Sequence, residues 1–462
     1  MGRCGALSVS RVTQRADVAA AGAAVALFAA AAVTGAAIND ENDLVLPWPP
    51  IHARWNPHVG PGTPAALALA GLAVAYGPVL ARRLPWRRLL WGAWGGSMAW
   101  VWALALVDGW ERGAAGRLLY HNEYLASVGE VGDVGHFLRT FTDHILFGSP
   151  EFNWPAHVAG HPPGALLTFE ALDRIGLGGG GWAAVFCVTT AGSAAAAVLV
   201  TVRQLAGEDL ARRAAPFVVL APGAVWLGVS ADGYFAAVAA WAVALLTLAA
   251  TGAARAPRAA AAGSGVLFGL LLYLSYGLVL IGIIGAGVLL LARNARPLPW
   301  VLAGIVPWVV AFTAGGFWWL DGYLTLVERY YQGAASTRPY AYFVWANLAA
   351  QVLTAGLASA AALRRWGVAL PGAGRAYAAA WRAGEVVRGR AALVLLVASG
   401  ALAMAVADLS GMSKAETERI WLPFLLWLLP AAALLPRERV RWWLAAQAVL
   451  ALAVNHLWLT RW

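Results

Sequence analysis

Residues 17–37 read DVAAAGAAVALFAAAAVTGAA, a single acid followed by a run without any charge. About 20 such residues are what an α-helix needs to cross roughly 30 Å of hydrocarbon. Arg3, Arg11 and Arg15 stand before the run, and Asn39-Asp40-Glu41-Asn42-Asp43 directly after it. Basic residues collect on the cytoplasmic side of membrane helices, so this order places the N-terminus in the cytoplasm. The run exceeds the apolar core of a cleaved signal peptide, about 7–15 residues, and reads as a retained anchor.

The same alternation recurs outward from this stretch. Further crossings are expected near 64–82, 89–107, 179–201, 214–230, 233–250, 299–317, 341–363, 391–407, 420–436 and 441–459. The run 264–292 has Arg255 and Arg258 before it and Arg293 and Arg296 after it. It is expected to enter and return as two short helices bending near Tyr276-Gly277. The stretch 162–177 then reads as a half-helix or interfacial helix on the outer side. The alternative is that 162–177 crosses fully and 264–292 crosses once. The fold class is all-α: one polytopic transmembrane bundle over 1–462, with about thirteen crossings. Outer loops are expected at 38–63, 108–163, 318–340 and 408–420. The spacing of Leu138, Phe141, Ile145 and Leu146 places juxtamembrane helices in the long one.

Composition agrees. The 462 residues are 61% hydrophobic and 12% charged, where a soluble domain carries roughly a quarter charged residues. The net charge of +10 does not imply a nucleic-acid partner. Most of the basic residues fall in the N-terminal tail and in short loops such as Arg82-Arg83-Leu84-Pro85-Trp86-Arg87-Arg88, while most acids fall on the opposite side. The excess therefore reports topology in a cell inner (plasma) membrane. The 25 Trp residues suit an interfacial belt. Cys4 and Cys187 lie in the tail and inside a helix, so no disulfide is expected.

Polar chemistry gathers on the expected outer face. His52, His58, His121, His136, His144, His157 and His161 all lie there, as do Glu123, Glu130 and Asp133. In His161-Pro162-Pro163-Gly164 the prolines suit a helix start, where a missing N–H costs little. Free N–H groups and the positive dipole end at such a start favour an anion such as a phosphate. The loop 408–420, with the chain's one lysine, Lys414, reads as an exposed cationic clamp carrying little packing. In it Lys414 and Arg419 would meet a phosphate, with Glu416 or Glu418 orienting them. Arg329 and Arg338 are expected to add to it from the neighbouring loop. In Ser230-Ala231-Asp232 a lone carboxylate sits at a helix–helix turn, where an ionisable group near the membrane warrants a functional reading.

These features together resemble the GT-C superfamily of membrane glycosyltransferases, which includes the protein O-mannosyltransferases and the lipid A aminoarabinose transferase. His161-Pro162-Pro163 matches the His-Pro-Pro or Lys-Pro-Pro signature that follows the family's acidic outer loop. Glu123-Tyr124 resembles its Asp/Glu-Glu-x-x-Tyr element, Ser230-Ala231-Asp232 its later acid, and Leu274-Ser275-Tyr276 its Thr-Lys-Tyr region without the Lys. More than one helix precedes the long loop, where the family usually has one. The family's Asp-Glu pair appears as Asn122-Glu123, and a true pair, Asp40-Glu41, sits in the first loop.

The resemblance implies sugar transfer, outside the cytoplasm and with inversion, from a polyprenyl-phosphate donor to a hydroxyl of a glycan, lipid or polypeptide, amid membrane lipid. Glu123 ranks first as general base, then Asp40 and Asp133. His157, His161, Asp232, Arg338, Lys414, Glu416 and Arg419 are the expected substrate-binding residues. The sugar is expected to be of the mannose or arabinofuranose type, since the Arg-for-Lys bias suggests an actinomycete with such envelope glycans. No dedicated metal motif is present, although carboxylates and His161 leave room for Mg or Mn. A transporter or flippase for a lipid-linked glycan is the competing reading, with a non-catalytic scaffold third.

Overall fold

The computed structural model describes residues 2–460, with the side chains of residues 2–13 and of Asp40 outside the description. The chain is an all-α polytopic membrane protein. Its helices are α1 (Gly2–Asn42), α2 (Thr63–Arg83), α3 (Trp86–Ala105), α4 (Val134–Thr140), α5 (Ala156–Ala159), α6 (Gly164–Arg174) and α7 (Gly180–Ala206). Then come α8 (Glu208–Val219), α9 (Ala224–Leu227), α10 (Ala231–Ala250), α11 (Pro257–Leu274), α12 (Ile281–Ala292), α13 (Leu298–Ala314) and α14 (Trp319–Gln332). The last are α15 (Tyr340–Ala355), α16 (Leu357–Ala383), α17 (Gly389–Leu409), α18 (Thr417–Ile420), α19 (Leu422–Leu425) and α20 (Val440–Leu457). The sheet among the described residues is a ribbon of β1 (Ala53–Trp55) against β2 (Trp458–Thr460), antiparallel with Arg54 opposite Leu459.

Seven helices among the described residues are long and apolar enough to cross a membrane, and two bent pairs, α13 with α14 and α15 with α16, raise this to nine. The expectation of about thirteen crossings is corrected to that range, because several expected spans are broken. The stretch 214–230 stops at Leu220, before Pro222, and resumes as α9, as a proline disfavours helical backbone at the residue before it. The stretch 341–363 turns by 116° at Gly356, whose φ of 87° is the left-handed region that suits glycine. The stretch 420–436, punctuated by Pro423 and Pro430, holds only short turns of helix.

Two of these breaks face one another and satisfy each other's backbone. The Gly223 N–H donates to the Thr354 carbonyl at 2.8 Å. From α20 the Gln447 amide donates to the carbonyls of Phe217 and Leu220 at the end of α8, at 2.9 and 3.2 Å. Broken helices inside a bundle persist where the freed groups find such partners.

Helix α6 spans 11 residues, about 16 Å at 1.5 Å per residue and roughly half a crossing. Helices α11 and α12 are joined by Ser275 and the 3₁₀ turn Tyr276–Leu280. Beyond the end of α12, the Asn294 amide donates to the Ala250 carbonyl at the end of α10, at 2.8 Å. The chain thus comes back to the end of the bundle from which α11 departs.

That end is basic. Arg364 and Arg365 converge on Asp17 near the start of the apolar part of α1. Arg212 donates to the carbonyls of Ala81 and Leu84, and Arg213 to that of Leu435. At the far end of α1, about 39 Å away along its 26-residue span Gln14–Asn39, lie Leu44, His52 and the acid- and histidine-bearing loops. Helix α10, buried along nearly its whole length against α7, α11 and α12, carries the core between the two ends.

Candidate active site

The site starts from backbone. Polar residues of α15 at helical spacing, Asn347 and Gln351, point at the 410–417 segment. The Asn347 amide donates to Asp408 Oδ1 at 2.9 Å and to the Ser413 carbonyl at 2.6 Å, and that of Gln351 to the Thr417 carbonyl at 2.8 Å. Ala415 and Glu416, both non-glycine, take φ values of 76° and 60°. Such conformations cost on the order of 1–3 kcal/mol each and persist where the surroundings over-determine them. The turn they make carries Thr417, Glu418 and Arg419 into the protein, all buried. The expectation of an exposed 408–420 loop with little packing is therefore corrected for its second half.

Arg419, 3% exposed, is the hub. Its Nη1 donates to Asp232 Oδ2 at 2.8 Å, from the first turn of α10. Its Nη2 lies 3.2 Å from His157 Nε2 on α5 and 3.7 Å from Glu416 Oε2. On the far side of the imidazole, His157 Nδ1 lies 2.9 Å from Glu123 Oε1. An imidazole carrying its proton on Nδ1 serves both contacts. Glu123 opens the 3₁₀ turn Tyr124–Glu130, and its second oxygen, Oε2, is buried without a hydrogen-bond partner.

The electrostatics follow from this geometry. Burial alone would raise the Glu123 carboxyl, but His157 beside it and Arg419 behind it outweigh burial and hold it below its ordinary value. Burial would likewise lower Arg419, yet Asp232, Glu123 and Glu416 raise it overall. His161, whose Nδ1 lies 2.7 Å from the His157 carbonyl, is pushed down to about 4 by burial and stays neutral at physiological pH. Glu418, 1% exposed, is pushed up to about 7 by burial; its Oε1 accepts the His52 N–H at 3.0 Å and its Oε2 is buried without a partner.

The structure brings Glu123, His157, His161, Asp232, Glu416 and Arg419 into one neighbourhood. Arg338 sits at its margin, donating to the carbonyls of Leu44 and Lys414 at 2.9 and 2.8 Å, with Nη2 3.9 Å from Glu416. Lys414 turns its ammonium to the Ala335 carbonyl at 2.9 Å, over the Tyr331 ring. Arg329 lies against Phe147 and donates to the Trp154 carbonyl. Asp133 is exposed and caps α4, accepting the His136 N–H at 2.7 Å. The Asp40 side chain lies outside the described residues. The start of α6 packs closely on α11: a Cβ on Gly164 would stand 2.6 Å from the Tyr273 carbonyl.

Sequence reasoning did not single out the parts that link these residues. His52 places its Nδ1 3.6 Å from Glu416 Oε1. Asp108 gathers His58 at 2.8 Å, Arg117 at 2.9 Å and Arg112 at 3.4 Å into a second cluster. The signal for Asn347 and Gln351 was present, as two amides four residues apart on an otherwise apolar helix.

Among the described residues no three His, Cys, Asp or Glu are grouped to hold a metal ion. Glu123 and Asp232 each face His157 or Arg419 rather than one another. Among the described residues these donors are engaged with one another and leave no set of carboxylates facing one Mg or Mn position. Beside the cluster opens a cavity of about 660 Å³, with His52, Arg54, Glu111, Arg117 and Tyr120 in its wall.

No family model matches the chain, and no curated protein matches it. Among solved structures it is similar to the oligosaccharyltransferase of Archaeoglobus fulgidus, determined in complex with Zn and sulfate. The identity is 14% and the TM-score 0.42. The match covers 78% of this chain, which spans about half, 53%, of that one. A likeness of that degree bears on neither activity nor ligand.

Proposed function

We propose that this protein is an extracytoplasmic glycosyltransferase of the GT-C kind, moving a sugar from a polyprenyl-phosphate donor to an acceptor hydroxyl with inversion. The observation that carries the reading is Glu123. It is a buried carboxylate held ionised by His157 and Arg419, with one oxygen unengaged, at the end of the bundle where the acidic loops gather.

In this reading the acceptor oxygen attacks the anomeric carbon as its proton passes to Glu123 Oε2. The bond from that carbon to the donor's phosphate oxygen breaks, and its electron pair leaves with the polyprenyl phosphate. A positioned base contributes typically 10²–10⁴-fold. Arg419 stabilises the charge building on the leaving phosphate, with Asp232 and Glu416 fixing its guanidinium. His157 keeps Glu123 oriented. The spanning helices hold the lipid tail, and a mannose or arabinofuranose unit is the expected cargo. Against a transporter stand the breaks at Pro222 and Gly356, where the Gly223 N–H meets the Thr354 carbonyl and the Gln447 amide meets the end of α8, with no ionisable side chain among these described partners.

The test is turnover of purified protein with polyprenyl-phosphate mannose or arabinofuranose, alongside donor binding. Glu123→Gln keeps shape and should bind donor normally while turnover falls at least a hundredfold; Asp40→Asn should cost much less. Near-normal turnover in Glu123→Gln with collapse in Asp40→Asn would move the base to the first loop. Absence of transfer from either donor by the wild-type protein would sink the reading.

A further inference from the structure

The mechanism leaves the 660 Å³ cavity unused. It lies between the first outer loop, the 111–120 segment and β2, and its wall mixes opposite hydrogen-bonding roles. Arg54, Arg112 and Arg117 supply only donors, Asp43 and Glu111 only acceptors when ionised, and Tyr120 adds a half-exposed ring. Arg117 is anchored, with Nη2 on Asp108 at 2.9 Å and Nη1 on the Thr460 carbonyl at 3.3 Å. Its Nε is buried without a partner. Arg112 is tied to the same carbonyl at 3.0 Å.

The cavity shares structure with the candidate active site. The Tyr120 carbonyl accepts the Glu123 N–H at 2.8 Å. His52, in the cavity wall, touches both Glu416 and Glu418. A molecule seated here thus lies against the backbone that positions the proposed base.

We infer that this cavity binds the acceptor, and that the acceptor is a glycan. A sugar hydroxyl donates and accepts at once, so a wall carrying both guanidinium and carboxylate groups suits a polyhydroxylated ring. The space falls within the roughly 300–1,000 Å³ of small-molecule sites. A lipid chain would leave these charges buried and unpaired, which is costly. An anionic headgroup would meet Asp43 and Glu111.

The role as acceptor rests on the glycosyltransferase reading; binding of carbohydrate does not, and the experiment separates the two. Saturation-transfer NMR on the purified protein would probe mannose, arabinofuranose, galactose and N-acetylglucosamine disaccharides, with a Thr-rich peptide as competitor. Donor cleavage would be followed in parallel. Arg54→Ala and Glu111→Gln alter exposed side chains of the wall, and the unfolding temperature serves as control of the fold. At least one disaccharide should bind, resist displacement by the peptide, and bind tenfold or more weakly to both variants. Disaccharide binding unaltered in the variants, no disaccharide binding, or displacement by the peptide would each overturn the inference, whatever the donor assay gives. Variant-sensitive disaccharide binding without donor cleavage would keep a carbohydrate site and remove the glycosyltransferase reading.

Discussion

At the basic end of the bundle Arg437 meets Asp209 at 2.7 Å, with side chains 61% and 66% exposed. At the other end Arg419 meets Asp232 at 2.8 Å, with side chains 4% and 6% exposed. The contact distances are nearly equal; the surroundings are not. In water the Coulomb gain is screened and side-chain entropy offsets much of it, whereas a buried charge that loses its partner has nothing to replace it. The basic end mostly uses arginine to dress its surface, on carbonyls, on Glu208, and on the Trp86 ring under Arg203. The other end seals charge inside, which is expensive unless something besides stability requires it. Asp17 is the intermediate case, a buried acid shared by two arginines, so that neither arginine alone carries the pair.

The largest effect should come from Arg419→Ala. It strands Asp232 and removes the second partner of His157, which costs on the order of 3–5 kcal/mol for a broken buried pair. The measurement is the unfolding temperature in detergent, set beside Arg365→Ala, which leaves Asp17 with Arg364. A smaller loss for Arg419→Ala than for Arg365→Ala would erase the contrast between the ends.

Next in size is the pH dependence set by Glu418. Its folded value of about 7 stands above the ordinary 4.5, because burial disfavours the anion. Between those values the folded chain holds a proton that the unfolded chain has released. The stability from this group is therefore fully present below about pH 4.5 and lost as pH rises to about 7. Glu418→Gln cannot titrate, so its unfolding temperature should fall less between pH 5 and pH 8 than that of the wild type. An identical fall in both proteins would place the titrating group elsewhere.

Much of this was legible before any coordinates, for a physical reason. Apolar length and the sign of flanking charge are local properties, so residues 17–37 identify themselves as a membrane helix. The clustering of acids and histidines on one face likewise pointed to the end where Glu123, His157, Asp232 and Arg419 meet. Two things were not legible. Breaks at Pro222 and Gly356 depend on partners over ninety residues away, such as Gln447 for the end of α8, so an apolar count over-reads the spans. The burial of Arg419 depends on two consecutive left-handed residues and on the Asn347 amide; a charge-dense segment otherwise reads as solvated. The same reasoning explains Lys414, half-buried in that loop, whose ammonium donates to the Ala335 carbonyl.

The smallest effect is expected at the basic end, and it tests the comparison from its weaker side. Arg437 Nη2 donates to both Asp209 oxygens, at 2.7 and 2.8 Å, as short as the 2.8 Å contact of Arg419 with Asp232. If contact geometry decided the value of an ion pair, Arg437→Ala would rival Arg419→Ala. Exposure says otherwise: exposed pairs contribute roughly 0–1 kcal/mol, and salt screens them. Arg437→Ala should therefore move the unfolding temperature little, and raising the salt from 0.1 to 1 M (a Debye length shrinking from about 10 to 3 Å) should remove what difference there is. Arg419→Ala, sealed from the solvent's ions, should keep its deficit across the same range. A salt-insensitive loss of several kcal/mol in Arg437→Ala would mean that the lipid headgroup region shields this pair as the protein interior shields the other, and the distinction between the two ends would then be one of place and not of physics.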